Sequence, residues 1–419
     1  MKTKILNIII FILITYSAKA QFEIQGIIRP RFEIRNGYST LRTDSSSPAM
    51  FVSQRTRLNF SYKKDKLETK ISLFDYRVWG NQVWKNDKPL FGLHEAWTKY
   101  NINDKFSIKF GRQELKYDNS RLISAVNWNQ VGAAHDLIYI KYKNKTWTSD
   151  FVAGWNQSKQ NKFGMNYDLF TKYYKSLNIL FLQKKFKNIS ISTLNILDGN
   201  QDMNDAEKIN FRLTSGLKIY FQETNYQAIA RLYMQQGRLQ TNNKVNAFYT
   251  NLDFIYKFSN KFKLNIGNEI KSGDNALDST NTTSKSFNIL YGARHKLNGR
   301  MDYFNLPSTT KNAGLIDSYL KGTYNFTMNT KLIAEYHYFM LQNNYIYNNA
   351  IINKFLGNEF DFILTKKISE NIKIETGYSL FLGTKSLEII KGGNKDLLNN
   401  WFYFMITVNP KLFISSNTN

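Results

Sequence analysis

The chain has 419 residues, a formal net charge of +25 at pH 7 and a 15% share of aromatic residues, among which Tyr and Phe far outnumber Trp. It has no cysteine, which excludes disulfides and thiolate metal sites. Beyond the N-terminus no apolar run is long enough for a transmembrane helix, so a helical membrane protein is excluded as well.

The first 20 residues have the layout of a secretory signal peptide. Lys2 and Lys4 form a basic start, an apolar stretch follows from Ile5 to Tyr16, and a small-x-small cleavage pattern ends at Ala20. We therefore expect residues 1–20 to be removed. Residues 21–419 are expected to form one exported domain.

Apolar and polar residues alternate along most of this domain. The clearest example is 208–235, which reads as two strands joined by a tight turn near Phe221. A period of two places successive side chains on opposite faces of a sheet. One face of this hairpin is apolar along its whole length, and the other face is polar and partly charged.

Eighteen such strands are predicted along the chain. They cover about residues 22–35, 51–62, 66–78, 93–101, 105–112, 137–143, 146–155, 171–183, 188–196, the two strands within 208–235, 247–258, 261–271, 315–326, 331–340, 359–365, 371–382 and 401–411. A short alternating run at Phe287, Ile289 and Tyr291 is expected to lie inside a long loop instead.

The connections between the predicted strands alternate strictly between short turns and long loops. Short periplasmic turns and long extracellular loops are typical of outer-membrane barrels, whereas a soluble sandwich has no reason to separate loop lengths in this way. The expected fold class is all-β: a transmembrane up-and-down antiparallel β-barrel of 18 strands. Both chain termini should then lie on the periplasmic side.

The inward face of such a barrel is predicted to be rich in cations. The inward set is Arg29, Arg31, Arg35, Arg55, Arg57, Arg212, Arg231, Lys70, Lys109, Lys141, Lys218, Lys263 and Lys373. Arginine holds carboxylates and phosphates with two parallel hydrogen bonds, and rings of such residues select anions in pores. The alternative is that inward acids, among them Glu33, Glu269 and Asp361, pair with these cations into a plain wall network.

Other chemistry has little support in the sequence. The four histidines show no metal-ligand spacing, and a hydrolase would need a serine converging on a pair such as His135-Asp136, for which Ser120 and Ser124 are the nearest candidates. We expect no catalytic residue, no metal and no cofactor. Nucleic acid is not an expected partner.

Several distinct motifs follow one another along the chain. They are Gly92-Leu93-His94-Glu95-Ala96-Trp97, Gly111-Arg112-Gln113-Glu114-Leu115, Arg121-Leu122, Trp128-Asn129-Gln130, Gly132, Asp136, Leu290-Tyr291-Gly292, His295-Lys296, Asn298-Gly299, Met301-Asp302-Tyr303-Phe304 and 314–320. In these motifs the chain resembles the alginate-export porin family of outer-membrane proteins. The resemblance implies an 18-stranded barrel whose arginine-rich lumen conducts anions and exports a polyuronate.

The same resemblance implies a pore-lining or loop-anchoring role for Arg112 and Arg121. Simple alternation from Phe106, Ile108 and Phe110 points Arg112 outward, however, so a bulge at Gly111 or a position above the membrane would be needed.

The expected function is an outer-membrane pore for an anionic polysaccharide or its oligomers. The predicted substrate path is Arg29, Arg31, Arg55, Arg57, Arg112, Arg121, Arg212, Arg231, Lys109, Lys141 and Lys218. One alternative is an anion-selective porin for small solutes such as phosphate or organic acids; another is a barrel that binds surfaces through its loops. Expected partners are the saccharide and outer-membrane lipid, with periplasmic export components as further candidates.

Overall fold

The fold is described by a computed structural model that covers residues 20–82, 91–164, 174–205, 207–278, 280 and 282–415. Apart from Ala20, the predicted signal peptide lies outside these residues. Within the described chain, helices are too short or too polar to cross a membrane.

Eighteen antiparallel strands form a closed barrel, as predicted. They are β1 (Gln21–Asn36), β2 (Ala49–Lys64), β3 (Leu67–Val78), β4 (Gly92–Asn101), β5 (Phe106–Gln113), β6 (His135–Lys143), β7 (Trp147–Trp155), β8 (Ser176–Lys185), β9 (Ile189–Gln201), β10 (Ile209–Gln222), β11 (Tyr226–Arg238), β12 (Lys244–Lys257), β13 (Phe262–Lys271), β14 (Leu315–Asn325), β15 (Thr330–Met340), β16 (Phe355–Lys367), β17 (Ile372–Gly383) and β18 (Asn399–Val408, continuing as Lys411–Ile414). Each strand pairs with the next, and β18 closes the barrel against β1 with Phe402 opposite Ile34.

The alternation in the sequence sets which side chains face the membrane. In β11, Leu232 is 50% exposed on the outer surface, while the neighbouring Arg231 and Tyr233 are 6% and 3% exposed because they point into the barrel. Apolar side chains on the outer face are what a barrel presents to lipid. The hairpin of β10 and β11 therefore has the two faces that its sequence predicts.

The loop pattern also agrees with the prediction. Eight short turns and both ends of the described chain lie at one end of the barrel, and the strands are joined by nine longer connections at the other. The connections after β9 and β11 are among those that are shorter than predicted, because β9 runs on to Gln201 and β12 begins already at Lys244. The run 287–291 lies in the long loop after β13 and forms no strand there, only an isolated bridge from Tyr291 to Ile123.

The interior of the barrel is occupied by two loops that fold inward. Lumen loop 1 is residues 114–134, between β5 and β6, and lumen loop 2 is the described part of 272–314 (272–278, 280 and 282–314), between β13 and β14. Lumen loop 1 packs Leu122 and Ile123 into an apolar cluster with the inner faces of β6 to β9, β11 and β12. Lumen loop 2 packs its own apolar residues, among them Tyr303 and Phe304, against β14 to β18.

The charged lumen and its two inward loops

Four arginines on β1 and β2 hold one end of lumen loop 1. Their guanidinium groups donate to backbone carbonyls: Arg29 to Asn127 at 2.9 Å, Arg31 to Trp128 at 2.9 Å, Arg55 to Asn129 and Gln130, and Arg57 to Val131 at 2.7 Å. Gln130 completes the contact, because its side-chain amide donates to the Ser53 carbonyl at 3.2 Å. These four predicted path residues thus act together to fix residues 127–131 to the barrel wall.

The other end of lumen loop 1 is held on the opposite wall. Arg121 donates to both carboxylate oxygens of Glu269 on β13, with the shortest contact at 2.6 Å. Asp118 accepts from Arg231 on β11 and from Lys218 on β10. Lumen loop 1 therefore crosses the lumen, tied to β1 and β2 at one side and to β10, β11 and β13 at the other.

Asp118 is ionised in this arrangement. Burial by itself would raise the pKa of Asp118, but the hydrogen bonds and charge of Arg231, followed by those of Lys218, hold that pKa below its ordinary value. The carboxylate is thus available to anchor the loop at neutral pH.

The two lumen loops are joined to each other by backbone hydrogen bonds. The Ser124 amide donates to the Tyr291 carbonyl at 3.1 Å, the Tyr291 amide to the Leu122 carbonyl at 3.1 Å, and the Ala293 amide to the Ser120 carbonyl at 2.7 Å. Paired backbones of this kind form a small ladder, so the loops constitute one body across the lumen.

An aromatic contact adds to this ladder. The Trp128 indole stacks on the His295 ring at a centroid distance of 4.1 Å, and the Arg31 guanidinium lies 4.1 Å above the same indole. The inner-wall rings of Trp401 and Tyr403 meet Trp128 edge-on. Trp128 thus sits where both loops and the wall converge.

Lumen loop 2 is fixed to the wall by acidic residues. Asn298 donates to Glu269 at 2.8 Å and to Asp317 at 3.0 Å, and Arg300 donates to Glu335 at 2.9 Å. The carboxylate of Glu359 accepts from the backbone amides of Arg300 and Met301. The inward acids therefore serve the loops as well as the wall.

Two predicted path residues have other surroundings. Arg212 forms an ion pair with Asp198 of the neighbouring strand β9, with the closest contact at 2.8 Å, and is 8% exposed. Arg112 does not line the lumen, and its predicted place in the path is wrong. It lies opposite Ala96 and Asp136 without a register shift, on the outward face with Phe110 and Ile138, and pairs with Asp136 at 2.7 Å.

Lys109 and Lys141 lie on the inward faces of β5 and β6, towards the short-turn end of the barrel. Lys141 pairs with Asp150 of β7 at 3.0 Å. Lys109 lies above the rings of Trp97 and Tyr139, at 4.8 and 5.4 Å from their centroids. Both lysines line a cavity of about 400 Å³ beneath lumen loop 1.

Two of the histidines lie close to carboxylates that are 20 residues away in the sequence. His94 lies 2.7 Å from Glu114, and His337 lies 2.9 Å from Asp317. The ring of His135 contacts the Tyr174 hydroxyl at 3.0 Å rather than a serine.

The matching family is the alginate export family, which covers residues 21–383. The chain belongs to the alginate export family. Its barrel is similar to two solved outer-membrane proteins, OpdK from Pseudomonas aeruginosa (8% identity, TM-score 0.62, 93% of this chain and 98% of that one) and OccAB4 from Acinetobacter baumannii (11% identity, TM-score 0.61, 94% and 98%). At such low identities the likeness shows the fold alone. No curated protein sequence matches the chain.

This member of the alginate export family is an outer-membrane pore, as its family and barrel fold indicate. Both are those of transport porins rather than of enzymes. Several motifs of the sequence analysis lie in the lumen loops: Arg121 and Trp128 belong to lumen loop 1, and Tyr291 and His295 belong to lumen loop 2.

Sequence reasoning missed two of the acidic residues that anchor these loops. Asp118 on lumen loop 1 is an anchor that the sequence analysis did not single out, and Glu269 on β13 appeared there only as a possible partner of wall cations. The neighbouring residues in the sequence do not distinguish either of these acids from other acidic residues of the chain. The inward arginines indicate that acidic partners exist. Their positions in the sequence do not indicate which acid or which loop each arginine contacts.

Proposed function

We propose that this pore passes carboxylate-bearing saccharides, as an alginate-like polymer or as its oligomers. The observation that carries the proposal is the inward cation set on a lumen narrowed by two loops, because a solute confined beside these loops must pass close to the cations. Membership of the alginate export family supports the same substrate class.

The cations have different roles in this proposal. Arg31, Arg55 and Arg57 are buried and are used to hold lumen loop 1, so they shape the passage and supply its positive field. Arg29 is likewise engaged with lumen loop 1, so solute contacts fall mainly to half-buried cations that hold no loop, such as Lys109. Successive weak contacts of this kind replace lost hydration without trapping a carboxylate-bearing chain.

A second candidate is an anion-selective porin for small organic acids. The observation that favours it is the lumen crossing itself, since a passage narrowed by two joined loops suits a small solute as well as a polymer. Among the similar structures, one is of OpdK with vanillate. The two candidates share an anion path and differ in the solute that engages it.

Planar-bilayer recording separates these candidates. The purified protein should give channels whose reversal potential in a salt gradient shows anion selectivity, and an oligo-uronate should block the current while a neutral oligosaccharide of the same length should not. Anion selectivity without uronate block would favour the small-solute porin. Absence of any conductance would overturn both and favour a barrel that acts through its surface loops.

A further inference from the structure

The cavity beneath lumen loop 1 has a specific place in the barrel. It lies between the underside of the loop and the inner faces of β5 to β8, and Lys143 and Lys185 at its edge border the short turns at the periplasmic end. Its volume of about 400 Å³ falls in the range of about 300–1,000 Å³ that small-molecule sites occupy. A solute entering from the periplasm would meet this cavity before the loops.

Lys109 differs from the inward lysines around it. Lys70, Lys99 and Lys141 each pair with a carboxylate: Glu95, Glu68 and Asp150, respectively. Lys109 forms neither an ion pair nor a hydrogen bond with any residue in the described part of the chain; its ammonium group lies over the faces of Trp97 and Tyr139. A half-buried ammonium that forms no ion pair is better placed to accept an anion than the paired lysines beside it.

Lys116 offers a second free cation at the same cavity. It is exposed on lumen loop 1 and, like Lys109, makes no ion pair within the described residues. The two lysines therefore approach one space from the wall and from the loop.

The remaining lining suits a sugar rather than a compact anion. The rings of Tyr117 and Phe181 meet at a centroid distance of 5.3 Å, and Tyr139 lies beside them. Aromatic faces pack against the apolar faces of pyranose rings, and carboxylates such as Asp150 accept hydrogen bonds from hydroxyl groups. The same carboxylates repel a phosphate dianion.

One buried polar atom also lacks a partner here. The Tyr117 hydroxyl, although buried and close to Tyr139 and Asp150, makes no well-formed hydrogen bond to any residue that the structure describes. A hydroxyl in this state can pair with water or with a hydroxyl group of a bound solute.

We propose that this cavity is a periplasm-facing subsite for one uronate unit of the transported saccharide. Lys109 and Lys116 bind its carboxylate, the rings of Tyr117, Tyr139 and Phe181 contact the sugar ring, and Asp150 accepts from its hydroxyl groups. The subsite rests on the proposed function, because it assumes a carboxylate-bearing saccharide as the solute.

The test is block of single-channel current by a linear uronate trimer, with a neutral glucose trimer as the comparison solute. Lys109→Gln should weaken uronate block by about tenfold, the size expected for one charge-assisted contact. The matched control is Lys99→Gln, which removes the same charge. Lys99 lies directly opposite Lys109 on β4 but outside the lining of the cavity. This control should change block far less.

Lys116→Gln provides a second variant on an exposed loop position, where folding is not at risk, and should also weaken block. Equal block in wild type, Lys109→Gln and Lys116→Gln would overturn the subsite while leaving the proposed function intact. Equal weakening by Lys99→Gln and Lys109→Gln would also overturn it, since only the general field would then matter. A wild-type channel indifferent to the uronate trimer would instead remove the proposed function, and the subsite with it.

Discussion

Arg121 and Glu269 form a buried ion pair inside the barrel, although 148 residues separate them in the sequence. The Arg121 guanidinium donates to both oxygens of the carboxylate at 2.6 and 2.7 Å, and the Tyr249 hydroxyl and the Asn298 amide donate to the same carboxylate at 2.9 and 2.8 Å. Glu269 thus holds lumen loop 1 through Arg121 and lumen loop 2 through Asn298. One wall carboxylate joins both loops.

Arg121→Gln should therefore release lumen loop 1. Removal of one partner leaves the Glu269 charge buried without compensation, a loss of about 3–5 kcal/mol. We expect faster amide hydrogen exchange at residues 120–126 and a larger single-channel conductance. The double variant Arg121→Gln/Glu269→Gln should recover part of the protection, because no uncompensated charge then remains; equal exchange in the single variant and in wild type would contradict the anchoring role.

Trp128→Ala should loosen the junction of the two loops with the wall. The change removes the stack on His295 and the edge contacts with Trp401 and Tyr403. Lumen loop 1 should then separate more often from lumen loop 2 and from the wall. We expect noisier single-channel current with frequent transitions to a higher conductance. Trp155→Ala is the control, because Trp155 faces outward and is 50% exposed; equal noise in both variants would show that the effect is not specific to the junction.

Most of the barrel follows from the alternation in the sequence. A strand with one face in lipid and one in the lumen needs a period of two, so β10 and β11 can be predicted together with their faces. The alternation predicts the ends of the strands less accurately. For example, β16 begins at Phe355 instead of residue 359, and Leu356 extends the buried inner face beyond the predicted strand. Strand boundaries at the rim depend on loop packing, which periodicity does not report.

The inward fold of the loops cannot be derived from periodicity. Its anchors join distant positions, such as Asp118 with Arg231 across 113 residues. Charged side chains of this kind are also found on solvent-exposed surfaces, so their residue types do not predict the pairing. Arg55 and Arg57 bind backbone carbonyls, which every residue carries, so no sequence pattern identifies their partners. For this reason the sequence predicts the arginines on the inward face but does not predict their role as loop anchors.

Arg55 and Arg57 can be tested for both roles at once. Arg55→Glu/Arg57→Glu should release residues 129–131 and reverse the local charge, so conductance should rise and anion selectivity should fall. Arg55→Lys/Arg57→Lys keeps the charge but loses the planar fork that holds the carbonyls.

We therefore expect raised conductance with retained selectivity in the lysine pair. The measurement is single-channel conductance together with the reversal potential in a salt gradient. Wild-type conductance in both double variants would argue against an anchoring role for these arginines.

The anchor at Asp118 predicts a pH dependence. Its pKa in the folded protein lies below the ordinary value, so its stabilisation is complete above the unfolded pKa of about 4 and is lost as the pH falls through the folded pKa. Conductance should therefore be constant from pH 7 to about pH 4 and should rise below that.

Asp118→Asn should show the raised conductance already at pH 7 and lack the acid step. Asp136→Asn is a matched control, because Asp136 pairs with Arg112 on the outward face. An acid step that persists unchanged in Asp118→Asn would assign it to another group.

Gly292→Ala should separate the two lumen loops. A Cβ at Gly292 would lie 1.7 Å from the Arg121 carbonyl oxygen, which belongs to the backbone and cannot move aside without breaking the neighbouring hydrogen bonds between the loops. Amide exchange at Ser124 and Tyr291 should accelerate, and conductance should increase. Gly322→Ala on β14 is the control, since its nearest atom would lie 3.7 Å away. If both variants kept wild-type exchange at Ser124 and Tyr291, the ladder would not be what joins the loops.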